Sequence, residues 1–327
     1  MYNFGVKSIG KHGKSVRFLN KIRIFMKRFK YILFSAILAA SMCFAGCEPK
    51  DPGEPKIKYV VDGKEQDSAP DKNFYKAVSI ESNSKDATIV WDVATWSLET
   101  TNADGKVTVN VYFEKQDKPI TVDGIGFDTL QDAFNYIGSE SKRIYLTQDV
   151  TGGGNTAPES DISIEMNGFT IDGAGQDTII NNGTMTIYGA GTITNSVNGE
   201  YSKSIVNYGN LTLQGVTVTN DTESVAVWNS ENGSSVLTVK DSDISHSSSS
   251  VMTVVNSGEM EIVSGNITGC GDSFHPVLYN NRSGSVLTLT GGSINNTADG
   301  YAIYNESGVI NLGATTYGNS YNMPSVE

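Results

Sequence analysis

One pattern restricts this chain more than any other: its C-terminal half repeats. Glycines recur at Gly183, Gly209, Gly233, Gly258, Gly284 and Gly308, 24 to 26 residues apart. Behind each lies a short run with apolar residues at alternate positions: Met185 and Ile187, Leu211 and Leu213, Leu237 and Val239, Met260 and Ile262, Leu287 and Leu289, Ile310 and Leu312. A second run is centred on Ile193, Val218, Ile244, Ile267 and Ile294, and a third on Ile205, Val227, Val254, Leu278 and Ile303. An asparagine stands two residues beyond each member of the third set, at Asn207, Asn229, Asn256, Asn280 and Asn305. Alternation marks strands with one buried face, and a fixed period of this length marks a stack of similar units.

Three short strands per period of about 25 residues describe one coil of a right-handed parallel β-helix. A single coil cannot bury its apolar side chains, whereas stacked coils share a core and pair strands about 4.8 Å apart. The apolar rows become aliphatic ladders, and the asparagine row becomes a ladder of amides that bond to one another. The glycines are expected where a corner demands φ > 0. Ile162-Ser163-Ile164-Glu165 and Phe169-Thr170-Ile171-Asp172-Gly173 read as less regular early coils, giving about seven coils and a rod roughly 35 Å long. A propeller needs four strands and about 40 residues per repeat, and leucine-rich repeats need a helical or LxxLxL arm. The fold class is therefore all-β, with the parallel β-helix over 143–327.

Residues 119–142 read as a capping strand and helix. Asp128 is placed as the N-cap with Gln131 three residues later, a capping-box spacing. Leu130, Phe134 and Ile137 share one face, and Gly138 ends the helix. Residues 57–118 read as a small β-sandwich-like domain, with strands at 57–61, 87–91, 95–98 and 107–113. Trp91 and Trp96 are assigned to its core, with sugar stacking as the alternative. Phe127 to Phe134, then Arg143-Ile144-Tyr145-Leu146, then Met166 to Ile171 resemble the entry of pectate-lyase-like β-helices on bacterial surface proteins, over about 127–320. Families with that fold include polysaccharide lyases and glycoside hydrolases, so the resemblance implies the fold and leaves function open.

The N-terminus reads as an address. Lys27, Arg28 and Lys30 precede an apolar run from Tyr31 to Phe44, short of the about 20 residues of a membrane-spanning helix. The run ends at Phe44-Ala45-Gly46-Cys47. Residues 26–47 resemble the signal and lipobox of bacterial lipoproteins, with Phe44 where that family usually has an aliphatic residue. The resemblance implies cleavage before Cys47 and lipidation of Cys47; a plain secretory signal cut near Ala45 is the alternative. Residues 1–46 are thus assigned to a signal peptide, with Met26 as the favoured start, and 47–56 to the lipidated cysteine and a Pro-rich extended spacer. Cys43 leaves with the signal and Cys270 remains alone, so no disulfide is expected.

The signal also hides the charge of the rest. The whole chain has 24 basic and 36 acidic residues, but nine of the basic ones and none of the acidic ones fall in 1–46. What remains is 15 against 36, a net of −21, and residues 143–327 hold 4 against 18, a net of −14. Such a rod is ill suited to nucleic acid, which is gripped by Lys and Arg on phosphates, and to uronate polymers or anionic lipid surfaces.

Glycosidases use paired carboxylates about 5–10 Å apart, so acids in register on neighbouring coils are the catalytic candidates. Asp243 falls beside Thr217 and Asn266, with Ser293 next; Glu261 falls beside Thr238 and Thr288. Asp241 and Asp243 share one coil without an acidic neighbour, too few oxygens for Ca²⁺. His246 and His275 lie in turns of adjacent coils, and a pair without a third ligand makes a poor metal site. Cys270, five residues before His275, reads as a small buried thiol. Gly152-Gly153-Gly154 lacks the Lys-Ser/Thr of a phosphate loop. No catalytic set, metal or cofactor is assigned.

Two outward surfaces remain. Thr192, Thr194, Thr217 and Thr219 lie on a regular polar face, similar to the Thr-x-Thr faces of ice-binding solenoids, although threonine also simply suits exposed strands. The other is the outward row of the third strand, Val206, Trp228, Val255, Tyr279 and Tyr304, whose aromatics suit glycan stacking or packing under turns. The expected protein is a monomeric, non-enzymatic envelope lipoprotein, adhesin-like or binding glycan or a surface protein through the side of its β-helix. A polysaccharide-active enzyme and a purely structural envelope protein are the alternatives.

Overall fold

The computed structural model describes residues 56–83, 88–92, 97–101, 107–197, 201–230 and 235–321. The signal segment, Cys47, the spacer, Trp96, Gly233 and the side chain of Trp91 lie outside the described residues. Among those described, no helix is long and apolar enough to cross a membrane.

The chain first builds a mixed four-stranded sheet from β1 (Lys56–Val61), β2 (Lys64–Gln66), β3 (Tyr75–Ser82) and β6 (Thr108–Lys115), in the order β2-β1-β6-β3. β1 and β6 run parallel, and the other pairs are antiparallel. Alternation in β6 buries Val109, Val111 and Phe113, against which Ile57, Tyr59, Tyr75 and Ile80 pack. A separate ribbon of β4 (Thr88–Asp92) and β5 (Ser97–Thr101) brings Ile89 onto the same core. β3 escapes a reading by alternation because a bulge between Ala77 and Ser79 shifts its register.

A hairpin of β7 (Ile120–Val122) and β8 (Ile125–Phe127) pairs antiparallel with β9 (Ser141–Leu146), the first strand of the solenoid. Between them α1 (Leu130–Ile137) lays Leu130, Ala133, Phe134 and Ile137 on the first coil. Its N-cap is Thr129, not Asp128. Thr129 Oγ1 accepts the Asp132 N–H at 3.1 Å and donates to the Asp132 carboxylate at 2.7 Å. Both bonds run through the Thr129 hydroxyl, so Asp132 steadies the cap side chain, while Asp128 pairs with Lys118 at 2.6 Å. The helix reaches the coil because Gly154 has no side chain: a Cβ there would lie 2.8 Å from the Phe134 ring.

The solenoid has three parallel sheets that share one apolar core. From Ile162 the first sheet steps through Met185, Leu211, Leu237, Met260, Leu287 and Ile310, six turns of about 25 residues. A shorter coil formed by β9, β10 (Val150–Thr151) and β11 (Gly154–Asn155) precedes them.

The repeated glycines have a different cause from positive φ. In register, the corner between the third and first sheets reads Ser160, Gly183, Gly209, Ser235, Gly258, Ser285, Gly308. None of its glycines has positive φ. Instead the stacked turns approach one another closely: a Cβ on Gly209 would sit 2.0 Å from the Gly183 carbonyl oxygen, and one on Gly183 2.4 Å from that of Ser160. Where the loop before this position is longer, Ser takes its place and bonds back into the loop, Ser285 Oγ to the Arg282 carbonyl at 2.7 Å. Gly284 is therefore off register by one residue. Positive φ instead recurs on coil after coil at the corner between the first and second sheets, at Gly168, Gly189, Gly215, Asp241, Gly265 and Gly292.

The asparagines form a buried column at the end of the third sheet. Asn207 donates to Asn229, Asn229 to Asn256 and Asn256 to Asn280, each at 2.8 Å, and Asn280 to Asn305 at 2.9 Å. The column starts one coil earlier, with Asn181 donating to Asn207 at 2.8 Å. From Asn181 to Asn256 the second amide hydrogen reaches a main-chain carbonyl of the next coil, as from Asn229 to Glu259 at 2.8 Å and from Asn256 to Val286 at 3.1 Å.

A second polar row holds the corner between the second and third sheets. Asn220 accepts the N–H of Thr222 and donates to the carbonyl of Ser202 one coil back; Asn296 does the same with Ala298 and Gly271. His246 reproduces both bonds, Nδ1 accepting from the Ser248 N–H and Nε2 facing the Ser224 carbonyl, each at 2.9 Å. The first bond leaves Nε2 to carry the hydrogen, so the ring is neutral. Its burial pushes the His246 pKa below the ordinary value.

Candidate binding surface

The outward rows of the three sheets differ in chemistry. On the first sheet the row runs Ser163, Thr186, Thr212, Thr238, Glu261, Thr288, and on the second Thr192, Thr217, Asp243, Asn266, Ser293, Thr316. On the third it runs Asn155, Ile180, Val206, Trp228, Val255, Tyr279, Tyr304, Tyr321, apolar or aromatic from Ile180 onward. Val206 and Val255 are buried, so beyond Ile180 the row surfaces at Trp228 and again from Tyr279 onward.

At that last stretch the rings gather. Tyr304 and Tyr321 stack with centroids 4.7 Å apart and planes 12° from parallel. Tyr279 meets Tyr304 edge-on at 5.7 Å, and Tyr301, from the loop before the Tyr304 strand, meets Tyr304 at 6.0 Å and Tyr321 at 5.7 Å. Together with Ser273, Phe274 and Pro276 they line a cleft of about 440 Å³. Phe274 is 83% exposed, projecting at its rim. The Tyr279 hydroxyl donates to Glu306 at 2.6 Å. Burial, reinforced by that carboxylate, pushes the Tyr279 pKa up to about 12, so the hydroxyl stays protonated and its hydrogen stays committed to Glu306. Among the described residues, no Lys or Arg lines the cleft. A second cleft, of about 430 Å³ at the corner between the third and first sheets, is lined by Glu159, Asp161, Asn182 and Thr184, with Tyr208 as its one ring.

Trp228 lies on the same row but not in the cleft, and Lys203 Nζ sits over its ring, 5.2 Å from the centroid. Tyr301, Tyr321 and Phe274 are absent from the expected surface. Tyr321 follows Tyr304 by only 17 residues, short of the period, and Phe274 and Tyr301 come from loops outside the repeat, so none of the three carries a periodic signal.

The threonine face is half-buried and partly bonded to itself. Thr219 Oγ1 donates to Thr194 Oγ1 at 2.9 Å, and the row ahead passes from Thr192 and Thr217 to Asp243. The acids on the coils serve neighbouring turns: Asp243 accepts from Asn266 at 2.8 Å, Asp241 from Ser264 at 2.7 Å, and Asp172 from Ser196. His275 Nδ1 lies 2.9 Å from Asp272 in an exposed loop, and the Cys270 thiol donates to the Ser247 carbonyl at 2.8 Å. Among the described residues, no group of three or more His, Cys, Asp or Glu is placed to hold a metal ion.

Compared with family models, curated proteins and solved structures, the chain matches none. The aromatic cleft and its row must therefore be understood from their own chemistry.

Proposed function

We propose that this chain is a lipid-anchored protein of the bacterial cell envelope that binds carbohydrate, without chemical turnover, through the outer face of the third solenoid sheet. The observation that carries the reading is the cleft of four tyrosines and Phe274 at the end of an apolar outward row. Sugars present C–H faces ringed by hydroxyls. Tyrosine matches both, with an apolar ring and a hydroxyl at its tip. The Glu306 carboxylate beside the cleft adds a strong acceptor for sugar hydroxyls. The lipobox-like segment ending at Cys47 and the Pro-rich spacer after it supply the tether.

A glycan array probed with the chain and with Tyr304→Ala tests the reading. Binding to a defined set of glycans that the substitution abolishes is the expected result. Absence of any glycan binding, or release of shortened or unsaturated products from the bound glycans, would overturn it.

A further inference from the structure

We infer that the carbohydrate is an extended, uncharged polysaccharide lying along the solenoid axis, held at one end in the tyrosine cleft and further along by Trp228. The inference rests on the carbohydrate reading of the same face.

Three features point to it. First, the platforms are collinear. Trp228, Tyr279, Tyr304 and Tyr321 occupy one register position on different coils, so their spacing is a whole number of strand separations. Trp228 and Tyr321 are four coils apart, about 19 Å. An extended sugar chain advances by nearly one strand separation per unit, so successive units fall in step with successive coils. Second, the row interrupts its rings without becoming polar: Val255 lies between Trp228 and Tyr279 and is only 9% exposed. A chain crossing from the cleft to Trp228 thus meets no group that needs its own partner. Third, the charge is wrong for an anionic polymer. Among the described residues no Lys or Arg lines the cleft, which borders Glu306 on a segment with a net charge of −14. Further along the row, Lys203 is turned onto the Trp228 ring. It must swing aside on its flexible stem for a sugar to stack there.

The length of the ligand is therefore the test. Cello-, xylo-, manno- and malto-oligosaccharides of two and six units are titrated calorimetrically into the chain, with oligogalacturonates of the same lengths as anionic probes. A two-unit sugar fits the cleft alone, whereas six units span to Trp228. At least one neutral series should bind, its six-unit member more tightly than its two-unit member by about three- to tenfold, the contribution of one aromatic platform. Trp228→Ala should erase that gain, so that two- and six-unit sugars bind alike. Trp228→Phe should restore most of it, which separates loss of the platform from loss of folding. If neutral sugars bind but length has no effect, if Trp228→Ala weakens both lengths equally, or if oligogalacturonates bind as well as neutral sugars, the axial inference is wrong although the carbohydrate reading stands. If none of these sugars and no other glycan binds, the carbohydrate reading itself fails and the inference goes with it.

Discussion

Asn256→Ala tests whether the asparagine column holds the coils in register. Asn256 accepts from Asn229 at 2.8 Å, donates to Asn280 at 2.8 Å and to the Val286 carbonyl at 3.1 Å, and accepts weakly from the Gly258 N–H at 3.3 Å. The Asn256 side chain is fully buried. Two good amide–amide bonds contribute about 1 kcal/mol each, and a buried carbonyl left without its donor costs about 1–3 kcal/mol more. The expected loss is about 3–5 kcal/mol. Asn181→Ala is the internal control, because Asn181 has a single bond to another asparagine of the column, at 2.8 Å to Asn207. It should lose about 1 kcal/mol less. Urea denaturation followed by far-UV circular dichroism measures both, with unchanged m-values required because stacked coils can lose cooperativity. A loss below about 1 kcal/mol for Asn256→Ala, the size of an ordinary surface change, would refute the reasoning. So would equal losses at the two positions.

Three further outcomes follow from the same structure. His246 has a lowered pKa in the fold, so the unfolded chain takes up its proton first as pH drops; stability should be constant above about pH 6.5 and decline below it as the ring is protonated. His246→Asn, the residue used at Asn220 and Asn296, should flatten that decline in denaturation curves at pH 5 and 7.5, and an unchanged slope would show that His246 is not its source. Gly209→Ala should cost at least about 2 kcal/mol because its Cβ meets the Gly183 carbonyl, whereas Gly284→Ala, with open space around it, should be nearly silent; equal melting temperatures would contradict this. Cys47→Ser should move the chain from the membrane fraction to the soluble one and abolish labelling by a fatty-acid probe, and continued membrane association would remove the lipid anchor from the proposal.

Most of the solenoid was legible because its two periods, alternation within a strand and about 25 residues between coils, are written in apolar residues and asparagines. Register could even be read to single pairs, as with Asp243 beside Asn266 and Glu261 beside Thr288. Corners were harder. Glycine at Gly183 and Gly209 has two physical explanations, positive φ and close approach, and a sequence does not distinguish them. Ser235 and Ser285 substitute for glycine only because a longer loop precedes them, which cannot be seen from identity alone. The second polar row, Asn195, Asn220, His246 and Asn296, stood two residues beyond the second-strand centres but was masked by glycine at 269 and by the change of residue type at His246.

The candidate site was half legible for a related reason. Folding pressure explains inward rows, since each inward residue joins the shared core. It does not explain outward ones. The same coils that place Thr212, Thr238 and Thr288 outside the first sheet place Trp228, Tyr279 and Tyr304 outside the third. Threonine serves an exposed strand well without ring or charge, and although rings stacked on neighbouring strands, such as Tyr304 and Tyr321, also stabilise a sheet, that gain is open to all three faces and does not select one. Nor does burial under loops account for them at the C-terminal end, where Tyr321 is 47% and Phe274 83% exposed. An apolar, ring-bearing face on an otherwise polar and acidic rod keeps surface exposed that folding would cover or replace. That cost, borne on one sheet of three, is the strongest sign that the third sheet meets a ligand.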